Sequence, residues 1–145
     1  MSATVLRVAG PGELDAVLLY RICALRVDVF VVEQAAPFAE LDGRDLEPAT
    51  RHLWMEHDGL PLSYLRVLDD GPAGSRIGRL VTAATARGQG LASGLLTQAL
   101  TSWTRRPTRL AAQAHLEGFY ARFGFVADGA PYVEDGIAHL EMVHA

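Results

Sequence analysis

The sequence predicts a mixed α/β domain, helices on the faces of a largely antiparallel sheet, and three observations predict it. From Glu13 onward Leu14, Leu18, Ile22, Leu25 and Val29 step by three or four, which marks one face of an amphipathic helix. Residues 52–57 and 62–68 flank Asp58-Gly59, a hairpin signal because both turn residues tolerate positive φ, and residues 76–82 add a third antiparallel strand. That strand runs through a glycine-bearing turn straight into a second helix, with Leu91, Leu95, Leu96, Ala99, Leu100 and Trp103 at helical spacing.

The other elements follow in order. Residues 4–8 form a short first strand closed by Gly10-Pro11-Gly12. The first helix gives out near Val31-Val32, before Pro37. Residues 33–50 are polar, carry Glu40, Asp42, Asp45 and Glu47, and read as an irregular surface excursion. Its acids are either solvated or a rim that attracts a cation. Pro107 stops the second helix; residues 108–113 are a short apolar strand and 116–123 a short helix closed by Gly124. Residues 125–127 and 137–143 finish the sheet.

Length and composition narrow the class. The 145 residues fit one domain, residues 1–145, large enough for a core, and half of them are hydrophobic. A formal net charge of −4 argues against a nucleic-acid binder, which carries a basic face. The single cysteine, Cys23, falls in an apolar helical pattern and reads as a buried, inert thiol. No basic, then apolar, leader opens the chain and no apolar run nears the ~20 residues that span a bilayer, so a cytoplasmic protein without a membrane partner is expected. His52 and His57, five apart in a strand, face opposite sides of it, and His139 and His144 share that odd spacing, so no metal site is expected. A spare edge strand leaves a homodimer open.

The chemistry concentrates in residues 80–92, Leu80-Val81-Thr82-Ala83-Ala84-Thr85-Ala86-Arg87-Gly88-Gln89-Gly90-Leu91-Ala92. A helix N-terminus offers unpaired N–H groups and the positive dipole end, which suit phosphate. Gly88 and Gly90 remove side chains where a pyrophosphate must approach, and Arg87 adds charge. Gly88-x-Gly90-x-x-Ser93 approaches a dinucleotide fingerprint, but an antiparallel meander precedes it and the next strand ends in Ala111-Ala112-Gln113-Ala114 without the acid a ribose needs. A Walker loop fails for want of Gly-Lys-Ser/Thr.

Arg87-Gly88-Gln89-Gly90-Leu91-Ala92 resembles the Q/R-x-x-G-x-G/A pyrophosphate motif of the GNAT superfamily of acyl-CoA N-acyltransferases. Phe119-Tyr120-Ala121-Arg122-Phe123-Gly124-Phe125, about 30 residues later, looks like that superfamily's F-Y-x-x-x-G-F segment. A closer similarity, to the ElaA-type branch, rests on Leu25-Arg26-Val27-Asp28-Val29-Phe30-Val31-Val32-Glu33-Gln34, Leu41-Asp42-Gly43-Arg44-Asp45-Leu46, Arg51-His52-Leu53, Gln113-Ala114-His115-Leu116 and Glu134-Asp135-Gly136-Ile137-Ala138-His139.

The resemblance implies an N-acetyltransferase fold whose sheet splays between the strands at 76–82 and 108–113. The pantetheine arm of acetyl-CoA, the acyl donor, would lie in that gap on the backbone of Leu80, Val81 and Thr82. Its pyrophosphate would sit on Arg87, Gly88, Gln89, Gly90, Leu91, Ala92 and Ser93, and Gln113 stands where many members contact the arm through Asn. Tyr120 occupies the position of the tyrosine that protonates the departing thiolate; a tyrosine packed beside Phe119 and Phe123 is the plain alternative. An amine acceptor must lose a proton, and Glu33, His52 and His115 are the candidate bases. Each has a structural alternative: Glu33 a cap or a partner of Arg26, His52 a half-buried strand residue, His115 a helix cap. The same fold could serve as a non-catalytic acyl-CoA-binding or sensing module, or as a protein-interaction module.

Overall fold

A computed structural model describes residues 4–145; residues 1–3, where the leader was sought, lie outside the described residues. Eight strands, β1 (Val5–Ala9), β2 (Arg51–His57), β3 (Leu60–Asp69), β4 (Ser75–Thr82), β5 (Thr108–Gln113), β6 (Val126–Ala127), β7 (Tyr132–Glu134) and β8 (Ile137–His144), form one sheet. The helices are α1 (Ala16–Val27), α2 (Leu91–Gln98) and α3 (Glu117–Ala121). The order across the sheet is β1-β2-β3-β4-β5-β8-β6, with β7 also on β8. All pairings are antiparallel except β4 with β5. That parallel contact is two residues long, Ser75 to Thr108 and Arg76 to Arg109. Beyond it the strands diverge, as the resemblance implied.

Alternation along β2 and β3 distributes the core. Leu53 and Leu65 face one side with Leu95, Leu96, Phe125 and Met142, beneath α2 and α3. Trp54 and Tyr64, one residue along each strand, face the other side with Ile22 and Val29 of the first helical segment. Leu14, Leu18 and Leu25 pack on this second cluster, so the whole predicted apolar face is used. The first helix starts later than its pattern: Asp15 caps it by accepting the Leu18 N–H at 2.8 Å, and Leu14 precedes the cap. Its end widens into a π-turn, Asp28–Glu33, and α2 ends likewise in Ala99–Trp103. Strand β7 was absent from the sequence expectation; Asp135-Gly136, both at positive φ, turns it into β8.

The polar segment after α1 is anchored, contrary to the expectation of a surface excursion. Arg26 is fully buried, its Nε 2.7 Å from Glu40 and its Nη1 2.7 Å from Asp45. Arg66, also buried, holds Asp42 at 2.6 Å and Asp45 at 3.1 Å. Arg79 joins through Glu40 at 2.9 Å and Asp42 at 3.4 Å. Three guanidinium groups thus balance three carboxylates, and these acids are not a free rim. Hydrogen bonds from Arg66 hold the Asp42 carboxyl well below the usual carboxylate range. Burial would raise Asp45, but its bonds to Arg26 and Arg66 outweigh that and lower it.

His52 sits beside this cluster, 1% exposed, with Nδ1 2.6 Å from the Tyr64 hydroxyl and Nε2 3.0 Å from the Asp45 carbonyl. Burial pushes its imidazole below the ordinary 6.5. Each of these groups binds its proton less readily folded than unfolded, so each contributes stability above its unfolded pKa that is lost as pH falls. Urea midpoints are therefore expected to decline below pH 6.5, as His52 is driven to protonate, and again below 3.8, as Asp42 and Asp45 titrate. A midpoint unchanged down to pH 3.8 would contradict this reading of the cluster.

Candidate active site

The divergence of β4 from β5 opens a cleft of about 850 Å³. Ile77–Thr82 line one wall, Leu110, Ala111 and Gln113 the other, and residues of α3 and its approach the floor. β4 itself is irregular here. Tyr64 pairs with Val81 but Arg66 with Gly78, so one extra residue bulges from β4, and Arg79 takes φ 55°, rare for a side chain.

At the far end of β4 a 3₁₀ turn (Ala84–Ala86) leads to Arg87 and then to Gly88 and Gly90, at φ 80° and 77°. Gly90 is the N-cap of α2 and supplies no side-chain cap. No acceptor is bonded to the N–H of Gly88, Gln89 or Gly90 among the described residues. A Cβ placed on either glycine meets nothing within 4 Å, so here glycine serves the backbone conformation and leaves open space before the helix. Unpaired N–H groups, a dipole end and room in front are what a pyrophosphate requires, so the loop fits one.

Arg87 is engaged elsewhere in this state. Its Nε donates to the Thr82 carbonyl at 3.2 Å and its Nη2 to Glu33 at 2.8 Å. Glu33 therefore pairs with Arg87, not Arg26, and its carboxyl is lowered by that hydrogen bond. The pair is exposed and screened by water, so it contributes little to stability. It does compete with any phosphate for Arg87. Glu33→Gln is therefore expected to tighten acetyl-CoA binding about threefold in a calorimetric titration, by removing the competing charge. Weaker binding would mean that Glu33 helps to build the loop.

The cleft gathers most of the anticipated residues. Glu33, Leu80, Val81, Thr82, Arg87, Gly88, Ala92, Gln113, His115 and Tyr120 all line it. Gln89, Gly90, Leu91 and Ser93 belong to the adjoining loop and first helical turn. His52 is not among the lining residues; both its ring nitrogens are occupied in the interior. Gln113 donates through Nε2 to Gln34 at 3.1 Å, and Val81 O and Thr82 O accept from Ser63 Oγ and Arg87. Tyr120 is 7% exposed, and burial alone pushes its phenol up to about 12, so it stays protonated at neutral pH and can act only as an acid. Its ring packs edge-on against Phe119 and Phe125, the core contact anticipated as the plain alternative. Packing and a cleft-facing position coexist.

Among the lining residues, Phe38 and Arg79 carried no sequence signal, and Gln34 entered only as the end of the Leu25–Gln34 segment similar to the ElaA-type branch. Among the described residues no group of three or more His, Cys, Asp or Glu could hold a metal ion. No helix there is long and apolar enough to cross a membrane.

A splayed mixed sheet with a glycine loop feeding α2 and a tyrosine on the cleft floor defines an acyl-CoA-dependent acyltransferase. The family model described as an acetyltransferase (GNAT) domain matches residues 18–145, and the chain belongs to that family. Among its relatives, the UPF0039 protein Rv2851c of Mycobacterium tuberculosis (strain H37Rv) is 48% identical over 142 residues, 95% of this chain and 91% of that one. Protein ElaA of Escherichia coli (strain K12) is 39% identical over 138 residues, 90% of each chain. A solved acyl-CoA N-acyltransferase from Pseudomonas aeruginosa superposes with a TM-score of 0.91 at 42% identity, covering 99% of this chain and 100% of that one.

Proposed function

We propose that this acyltransferase moves an acetyl or other short acyl group from its CoA thioester to a primary amine by direct attack. The observation that carries the proposal is the single cleft onto which the open β4 edge, the glycine loop and Tyr120 all converge. The loop, through the N–H groups of residues 88–93 and Arg87, holds the pyrophosphate. The edge of β4 that β5 leaves unpaired, at Leu80, Val81 and Thr82, takes the amide-rich arm as an added strand, and Gln113 faces it from β5. One β4 N–H polarises the thioester carbonyl, a role in which a single donor contributes about 3 kcal/mol.

The amine nitrogen attacks the carbonyl carbon, a C–N bond forms and the C–S bond breaks. The electron pair leaves on sulfur, and Tyr120 supplies the proton that converts thiolate to thiol. The proton lost by the amine passes to Glu33 or His115, directly or through water. His52 has no part in this scheme, because its nitrogens are already bonded.

Two measurements test the proposal. Calorimetry with acetyl-CoA beside free CoA should give saturable binding of both. Tyr120→Phe should then retain acetyl-CoA affinity while kcat with a primary amine falls about a hundredfold, the usual lower bound for a lost general acid. Absence of binding to either ligand sinks the enzymatic reading. Saturable binding with no turnover of any amine favours a binding module, whereas an unaltered kcat in the Phe variant removes Tyr120 from the acid role.

A further inference from the structure

We propose, resting on the acyltransferase reading above, that Glu40 receives the acceptor amine and that the acceptor is an alkyl- or arylalkylamine without a carboxylate. Glu40 is 3% exposed yet lines the cleft. Its Oε2 is taken, 2.7 Å from Arg26 Nε and 2.9 Å from Arg79 Nε. Its Oε1 is buried and accepts no hydrogen bond. A buried carboxylate oxygen without a donor is costly, and an incoming N–H relieves that cost.

Position supports the role. The arm of the donor runs from the loop after Thr82 back along β4 toward the two-residue seam with β5. Three residues back from Thr82, roughly 10 Å along an extended strand, is Arg79, the bulged residue that Glu40 holds. Glu40 thus sits at the deep end, where the thioester must lie. The flanking cations Arg26 and Arg79 disfavour a third positive charge there, so the bound amine is held neutral, as attack requires.

The surrounding charge and surface select the acceptor. The cleft's two arginines, Arg79 and Arg87, are already engaged by Glu40 and Glu33. Glu134 and Asp135, exposed at the β7–β8 turn, add two further carboxylates to the lining. An acceptor bearing its own carboxylate meets repulsion with no cation released to it. Phe30, Phe38, Leu116 and Phe119 offer apolar walls for a hydrocarbon chain or ring.

The test compares Glu40→Gln with Asp45→Asn, which damages the same buried network from a residue outside the cleft lining. With phenethylamine as acceptor, Glu40→Gln is expected to raise the amine KM about tenfold or more while acetyl-CoA affinity stays within about twofold. Asp45→Asn is expected to lower Tm without that KM change. An unchanged KM in Glu40→Gln, or an equal rise in Asp45→Asn, overturns the assignment. A second measurement needs no variant: the wild-type kcat/KM for phenethylamine should exceed that for phenylalanine by about a hundredfold. Equal or reversed preference in a protein that binds acetyl-CoA overturns the Glu40 proposal alone, whereas failure to bind acetyl-CoA overturns the acyltransferase reading beneath it.

Discussion

Gly90→Glu is expected to weaken acetyl-CoA binding about a thousandfold, beyond the range of an ordinary titration, while the sheet stays folded. The substitution sets a carboxylate at the mouth of α2, where the N–H groups of residues 88–90 have no other acceptor. Like charges in contact cost several kcal/mol, enough for that loss. Gly90 also sits at φ 77°, so any side chain there carries strain of about 1–2 kcal/mol. Gly90→Ala separates the two effects. Its Cβ meets nothing within 4 Å, so it shares the strain without the charge. If Ala weakens binding as much as Glu, repulsion is not the cause and the pyrophosphate lies elsewhere.

Arg26→Met is expected to destabilise the interior strongly, costing about 3–5 kcal/mol and lowering Tm by about 10 °C or more. Arg26 is 0% exposed and joins Glu40 to Asp45, with its guanidinium 5.5 Å from the Tyr64 ring. Removing it leaves two buried carboxylates leaning on Arg66 and Arg79 alone. Exposed Arg105, paired with Asp69 at the surface, provides the contrast: Arg105→Met should leave the urea midpoint nearly unchanged. Similar urea midpoints for the two variants would show that the buried network contributes no more than a surface pair.

The contrast between those arginines also explains what could be seen in the sequence. The apolar face from Leu14 to Val29, the Asp58-Gly59 hairpin and the Arg87–Ala92 loop are local signals, each written within a few residues of where it acts. Ion pairing is not local. Arg26 finds Asp45 across 19 residues and Arg79 finds Glu40 across 39, so composition marked residues 33–50 as surface when two of their acids are buried. His52 shows the same limit: its placement depends on Tyr64 and the Asp45 carbonyl, which the hairpin and the anchored loop bring to it. β7 was missed because three exposed residues carry no alternation, although Asp135-Gly136 repeats the turn chemistry of Asp58-Gly59. The cleft was legible where the family motif ran through it and silent at Arg79, whose backbone departs from strand geometry.

The short contact between β4 and β5 also bears on how the chain assembles. Pairing Ser75 with Thr108 closes a loop of some 33 residues for the sake of two residue pairs. β5 and β8 close a similar loop but gain six pairs, and the β2–β3 and β3–β4 hairpins close tight turns for long ladders. Loop-closure entropy is recovered least by backbone pairing at the seam. The two walls of the groove are therefore held together chiefly by side chains, the shared core in which Leu53, Leu65 and Ile77 meet Leu110, Leu140 and Met142.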